Sequence, residues 1–527
     1  MSETPARVDW LGWSRTTFDR ARRENRPILL ALMAPWSEPC ARMDRTTYAS
    51  PEVVRLVGER FVPIRVNTDR RPDINDRYNL GGWPTTAFLT PDGVAFGGGT
   101  FVEAGRMPGV LDQVAEAFVH RRAEIDVLPA HGLAPREATH DLGRERAMRE
   151  DEDPVEWLVG QLVERFDADD GGFGADAKFP HVPTLTLLLE RHVDTGDPRL
   201  ATMLVDSLDG LGRLFDAVEG GFFRYASRRD WTGAHTEKIL QDNAQLVRLH
   251  LAAAEAFDRA DYGERALRTI DWVRRTLATA PGAGFAASQA ANTAYYAAAP
   301  SERPADGRPA VDAARYADAN AEMIVALFDA ARLTGDDSLR AVALDALEQV
   351  VLAGYRPGLG VSHVVAQGNP VPGLLADQVG LVEALLMAQT ATDRLPYSML
   401  AAELMEYATR TMWDETAGAF RDRATADADG DCGLLRQPMR PFALNCTAAQ
   451  MLSRLAVVTG RSDHRDRAER ILETLAGAYR DDPLLGACYG LAVREVRGGR
   501  PPRGWSLEPV DWHLSTEDHH DEEDPTS

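Results

Sequence analysis

The stretch His235-Thr236-Glu237-Lys238-Ile239-Leu240-Gln241-Asp242-Asn243 places an imidazole, two carboxylates and an amine within nine residues. That inventory suffices for general acid–base work or for recognition of hydroxyl groups. Tyr225 and Trp231 lie just before it and offer flat faces for stacking on sugar rings. The structural alternative is that Asp242 or Asn243 caps a helix and that Glu237 and Lys238 form a solvated pair. Three smaller clusters also sit at or near predicted helix starts: Gly174 to His181 around Lys178, Tyr316-Ala317-Asp318-Ala319-Asn320, and Leu375-Ala376-Asp377-Gln378. Glycoside hydrolysis needs two carboxylates facing each other across a bond, and Asp242, Asp377 and Glu237 are the candidates. His235, Glu237, Lys238, Asp242 and Asp377 are therefore the expected catalytic set. Lys178, Tyr225, Trp231, Asn243 and Asn320 are the expected ligand-binding set. Lys178 and Lys238 are the only lysines among 58 basic residues. An ammonium can lose its proton when buried and a guanidinium cannot, so either lysine could be functional or a chance survivor.

The elements that must position these groups are helical. From Val155 onward apolar residues recur at three- and four-residue spacing, predicting about twelve amphipathic helices and almost no strand. A repeat punctuates them: Phe166-Asp167 before Gly171-Gly172-Phe173, Phe215-Asp216 before Gly220-Gly221-Phe222, and Trp413-Asp414 before Gly418-Ala419-Phe420. Weaker echoes occur at Gly282-Ala283-Gly284-Phe285 and Gly358-Leu359-Gly360-Val361. About six helical hairpins in a row predict a closed (α/α)6 toroid, since closure removes the exposed ends of an open solenoid. Equivalent loops then converge on one rim, which should bring the His235–Asn243 stretch to the mouth of a central pocket, facing Asp377 and the Lys178 segment.

The first part of the chain carries a different signature. Trp36-Ser37-Glu38-Pro39-Cys40 resembles the thioredoxin motif Trp-Cys-x-Pro-Cys with serine in place of the first cysteine. That first cysteine supplies the attacking thiolate, and a serine hydroxyl cannot. Cys40 falls at the resolving, more buried position. The apolar run Ile28 to Met33 predicts a strand buried on both faces, and Phe61 to Val66 a second strand. Pro84 falls where thioredoxin folds place a cis-proline, and Thr90-Pro91-Asp92-Gly93 closes the next strand with a turn. The motif therefore predicts the fold and argues against dithiol chemistry.

At 527 residues the chain is too long for one ordinary core. The expected division is a thioredoxin-like α/β domain at 1–122, a linker at 123–152, an all-α (α/α)6 six-hairpin barrel at 153–498, and an acidic disordered tail at 499–527. A composition of 44% hydrophobic and 26% charged residues is that of a soluble globular protein. The net charge of −23 disfavours nucleic acid and anionic membranes. No apolar run reaches membrane-spanning length and no apolar signal segment opens the chain, so a cytoplasmic location is expected. Cys40, Cys432, Cys446 and Cys488 show neither a C-x-x-C pair nor zinc-ligand spacing. No metal and no cofactor are expected.

These features together resemble the spermatogenesis-associated protein 20 family of thioredoxin-domain proteins, also called domain of unknown function 255. In the first domain the likeness rests on Trp10-Leu11-Gly12-Trp13, Arg26-Pro27-Ile28, the run Val66 to Asp73, Gly81-Gly82-Trp83-Pro84-Thr85, Phe88 to Gly93, and Gly98-Gly99-Thr100. In the second it rests on Gly171-Gly172-Phe173, Lys178-Phe179-Pro180, His235-Thr236-Glu237-Lys238 and Asp242-Asn243-Ala244. The resemblance implies a thioredoxin-like domain joined to a barrel like those of six-hairpin glycosidases and sugar epimerases. Two departures matter. Typical members carry Cys-His-Trp-Cys-His where this chain has Ser37-Glu38-Pro39-Cys40-Ala41, and the stretch Ala286 to Ala314 lacks the family's acidic glycine-rich segment.

The leading expectation is a barrel pocket that binds or processes a saccharide-like small molecule, beside a thioredoxin unit without its redox dithiol. The alternatives are a noncatalytic scaffold, or a protein-thiol or chaperone-like role in which the thioredoxin surface and Cys40 hold a client protein.

Overall fold

The computed structural model describes residues 7–128, 153–279, 283–304, 307–365, 371, 373–424 and 430–501. The expected linker beyond residue 128 and the acidic tail beyond 501 lie outside the described residues.

The first domain is built on β1 (Ile28–Met33), buried along its whole length. Ile28, Leu30 and Leu32 enter one apolar core and Leu29, Ala31 and Met33 another. This is the period-two division of a strand covered on both faces. β2 (Val62–Asn67) runs parallel to β1; β3 (Thr85–Leu89) is antiparallel on its other side, and β4 (Ala95–Gly99) pairs antiparallel with β3. Helices α1 (Arg15–Glu24), α2 (Glu38–Arg45), α3 (Pro51–Arg60), α4 (Pro72–Tyr78), α5 (Met107–His120) and the single turn α6 (Arg122–Ile125) complete the thioredoxin-like layer. Ser37 caps α2, accepting the Cys40 N–H. The Trp83–Pro84 peptide is cis and leads directly into β3.

The second domain is a ring of helices within a ring. The inner ring is α8 (Val182–Thr195), α10 (Leu240–Phe257), α13 (Ala317–Thr334), α15 (Leu375–Thr392), α17 (Phe442–Thr459) and α19 (Pro483–Val496). Each packs on the next, and α19 returns to α8, so the ring closes. The outer layer is α7 (Pro154–Arg165), α9 (Pro198–Leu211), α11 (Ala260–Trp272), α14 (Asp337–Gly354), α16 (Leu395–Met412) and α18 (Ser462–Leu475), with α12 (Thr293–Ala297) as a short helix in a loop. Inner helices α13 and α15 bury residues around most of their circumference, as helices flanked on several sides must.

Before five of the six inner helices, where the sequence predicted almost no strand, the connection includes a small hairpin. Phe166 bridges Phe173, Phe215 bridges Phe222 and Ala278 bridges Phe285. Tyr355 pairs with Val361 and Trp413 with Phe420 in the same way. All five repeat sites read from the sequence thus carry an antiparallel pairing across the turn. Glycine is required at its tip: Gly220 has φ +84°, and a Cβ there would lie 2.4 Å from the Arg268 carbonyl oxygen.

The two domains share a core. Cys432, Leu434 and Leu435, from the loop between α16 and α17, join the Leu30 face of the thioredoxin sheet. Buried Arg77 reaches out of α4 to Asp422 at 2.6 Å and donates to the carbonyls of Leu434 and Gln437. The backbones of Gly93 and Gly433 approach so closely that a Cβ on Gly93 would lie 2.3 Å from the Gly433 Cα.

Candidate functional site

The thioredoxin-like domain sits over the end of the barrel where the inner helices begin. Its motif faces inward. The Trp36 carbonyl accepts the Ala291 N–H at 3.0 Å, and Thr293 donates to Glu38 at 3.1 Å. The Arg224 guanidinium, from the barrel, lies 4.6 Å from the Trp36 ring and 5.0 Å from the Trp83 ring, close enough for cation–π attraction to both. Ser37 and Cys40 are only 5% and 3% exposed. Burial pushes the Cys40 thiol above its ordinary range. Barrel residues therefore lie against the motif around Trp36 and Trp83, while Pro35 and Glu38 stay exposed.

The expected site residues divide into three groups. The first is structural. Lys238 is fully buried and donates to Asp216 at 2.8 Å and to the Gly220 carbonyl at 2.7 Å. Lys178 repeats this with Asp167 at 2.6 Å and Gly171 at 2.8 Å. Both amines clamp the glycine turn of a repeat. Burial lowers the Lys238 ammonium, with Asp216 opposing that shift. Asn243 accepts the Phe222 N–H at 2.6 Å and donates to the carbonyls of Phe222 and Ile239. Asn320 does the same with Phe285 and Tyr316, and Asn445 with Phe420 and Pro441. Gln378 staples Val361 likewise. Asn243 and Asn320 thus have no amide group left for a ligand. Trp231 is 2% exposed, packs on Gly172 and Gly210, and donates to the Asp170 carbonyl, so it is core and not a sugar platform.

The second group lies at the mouth but is largely occupied. Tyr225 has Phe179 stacked at 4.5 Å and His235 at 4.1 Å. Both its faces are covered, which removes the expected stacking role. Glu237 is buried, with its nearest cation, Arg224, at 3.5 Å. Asp377 is fully buried; it accepts His363 Nδ1–H at 2.8 Å and the Leu374 N–H at 2.8 Å.

The third group is one residue, Asp242, beside Glu322 from outside the expected set. Asp242, in the first turn of α10, is half-buried, and no described residue hydrogen-bonds its carboxyl. Burial pushes this carboxyl up to about 6, with Arg224 opposing and Glu237 reinforcing the shift. One turn along α13, half-buried Glu322 accepts the amides of Gln241 at 2.9 Å and Gln245 at 3.1 Å. Burial pushes it up to about 7. Deeper in the ring the polar groups are fully paired: Arg248 meets Asp329 and Glu383, and Arg454 meets Glu383 and Glu495.

His363, Glu322, Arg224 and Asp69 were not singled out from the sequence. His363 is 1% exposed and stacks on Tyr316 at 4.9 Å. Its Nε2–H donates at 2.8 Å to the Asp69 carbonyl of the thioredoxin-like domain. Burial alone would lower its pKa, but the Asp377 and Asp318 carboxylates raise it to about 10. Its one sequence signal is proximity to the weak Gly358–Val361 echo. Asp318 and Glu322 share a face of a helix that reads as core, and Asp69 acts from 294 residues away.

Residues 2–130 match the family described as "Protein of unknown function, DUF255". The chain is 29% identical over 310 residues to spermatogenesis-associated protein 20 of Homo sapiens, covering 54% of this chain and 39% of that protein. It is 28% identical over 267 residues to an uncharacterized protein of Caenorhabditis elegans, covering 46% and 35%. The match thus spans well under half of these relatives' length. Among solved structures, the barrel is similar to cellobiose 2-epimerase from Spirochaeta thermophila, with a TM-score of 0.52 at 15% identity, covering 65% of this chain and 96% of that one. A D-mannose isomerase matches with a TM-score of 0.52 at 12% identity, covering 66% and 96%. These likenesses carry the fold alone. With a DUF255 match over its thioredoxin-like domain and an (α/α)6 barrel behind it, the chain is similar to spermatogenesis-associated protein 20.

Proposed function

We propose that the barrel binds a saccharide-like, polyhydroxylated small molecule at its end beneath the thioredoxin-like domain and moves a proton to or from it. The observation that carries this reading is the Asp242 carboxyl: half-buried, without a hydrogen-bond partner among the described residues, and pushed up to about 6. A carboxyl so placed exchanges a proton near neutral pH, which is what a general acid or base must do. Glu322, pushed up to about 7, supplies a second such group. Gln241, Gln245 and Arg224 add amide and guanidinium donors suited to hydroxyl groups. The sugar-epimerase and sugar-isomerase barrels of like fold support the choice of ligand class by analogy only. In this reading Trp36 and Trp83, against Arg224, give the thioredoxin-like domain a covering role rather than a redox one.

The test is calorimetric titration with a panel of aldoses, ketoses and disaccharides, followed by incubation of each binder in heavy water. Binding with deuterium incorporation at a carbon of the sugar, lost in Asp242→Asn, is the expected result. Absence of binding across the panel would sink the reading and leave the scaffold role.

A further inference from the structure

We infer that Asp318, His363 and Asp377 form a binding site for one divalent first-row metal cation at the mouth of the barrel. One ligand atom from each lies within 4.8 Å of the others. His363 Nδ1 is 2.8 Å from Asp377 Oδ1 and 3.9 Å from Asp318 Oδ1. These spacings are near those of ligands around a shared ion with bonds of about 2 Å.

The surroundings of the three residues argue further than their proximity. A histidine that ligates through one nitrogen is fixed by a hydrogen bond from the other. His363 Nε2–H makes that bond to the Asp69 carbonyl at 2.8 Å, which leaves Nδ1 directed at the two carboxylates. Tyr316 stacks on the imidazole at an interplanar angle of 18° and holds its plane. Asp377 is anchored through its other oxygen by the Leu374 N–H. Asp318 accepts the N–H of Ala319 at 2.8 Å. The residues that would bind the ion are thus oriented by groups from two domains and three chain segments.

The donor set selects the ion. One imidazole and two carboxylates suit zinc or manganese over soft or strictly oxygen-bound cations. A dication also offsets the two carboxylates, one of them fully buried. The site is open on one side only. The side chains of His363 and Asp377 are 2% and 0% exposed, while that of Asp318 is 20% exposed. An ion held there would keep a coordination position on the Asp318 side, as catalytic sites do. The competing occupant is a proton on His363, making an imidazolium between the carboxylates.

The test uses the full chain carrying His519→Ala and His520→Ala, which removes the histidine pair of the tail. After treatment with a chelator, the protein is titrated with Zn2+ by calorimetry and with Co2+ by visible absorption. Expected are one Zn2+ per chain and ligand-field bands from Co2+. Asp318→Asn, at the most exposed of the three ligands, should weaken both by about 100-fold while leaving the circular dichroism melt intact. His363→Gln should do the same for binding. Absence of heat and of Co2+ bands would overturn the inference and leave the imidazolium as the occupant. Metal binding unchanged in Asp318→Asn would overturn it equally, by placing the ion elsewhere.

Discussion

The Lys238 ammonium lies 2.8 Å from Asp216, and the Lys178 ammonium lies 2.6 Å from Asp167, in the same place of successive repeats. At the third full repeat Asp414 is held instead by Arg421 and Arg440. The two lysines survive where a compact, fully buried cation must reach both a carboxylate and a glycine carbonyl. A single ammonium nitrogen makes both bonds from one compact point.

Lys238→Met should therefore destabilise the protein by about 3–5 kcal/mol in urea unfolding, because Asp216 would be left buried without its close cation. Lys178→Met should cost less, since Arg229 also pairs with Asp167. A Lys238→Met protein of unchanged stability that loses ligand binding would restore the catalytic role first expected of this residue.

The thioredoxin motif gives a prediction about access. Wild-type protein should not reduce insulin disulfides, having Ser37 beside Cys40. Ser37→Cys should form an intramolecular disulfide under small-molecule oxidants, visible as a loss of two mass units. It should still fail to turn over insulin, because the Ala291 N–H on the Trp36 carbonyl and Arg224 between Trp36 and Trp83 cover that face. Turnover like that of a dithiol thioredoxin would show that the domains separate in solution.

What could be read from the sequence was whatever repeats or stays local. The continuous burial of Ile28 to Met33, the glycine turns and the cis-proline position all express short-range rules. Roles set by distant partners could not be read that way. Asn243 and Trp231 look like ligand-binding residues in a linear string, but their partners Phe222 and Gly172 consume them. The staple had a signal, since Asn243, Asn320 and Asn445 each stand in the first turn of an inner helix. His363 had almost none, because its meaning depends on Asp377 and on Asp69 in another domain.

The shared core predicts one cooperative unit. Arg77 and Asp422 are both buried, and Arg77 makes four contacts across the domain boundary: two to the Asp422 carboxylate and one each to the Leu434 and Gln437 carbonyls. Arg77→Met should strand Asp422 and cost about 3–5 kcal/mol. Scanning calorimetry should show the single transition of the wild type splitting into two. A single transition at an unchanged midpoint would mean that Cys432, Leu434 and Leu435 hold the domains together without the ion pair.

Glu322 predicts how stability depends on pH. Its carboxyl is pushed up to about 7 in the fold, against an ordinary value of 4.5. Between those values the folded chain holds more protons than the unfolded chain, so stability must fall as pH rises. The contribution is fully present below pH 4.5 and lost by pH 7. Asp242, pushed up to about 6, acts in the same direction over a narrower window. Carboxyls held low by cations, such as Asp216 and Asp414, act oppositely, but their gain is complete below pH 5. Glu322→Gln keeps an oxygen for the Gln241 and Gln245 amides and removes the charge. It should raise stability at pH 8 by roughly 2 kcal/mol and flatten the decline between pH 5 and 7. Urea unfolding at half-unit pH steps measures both. Parallel wild-type and variant curves over that window would mean that Glu322 is ionised throughout, and would remove it from the proton-transfer role.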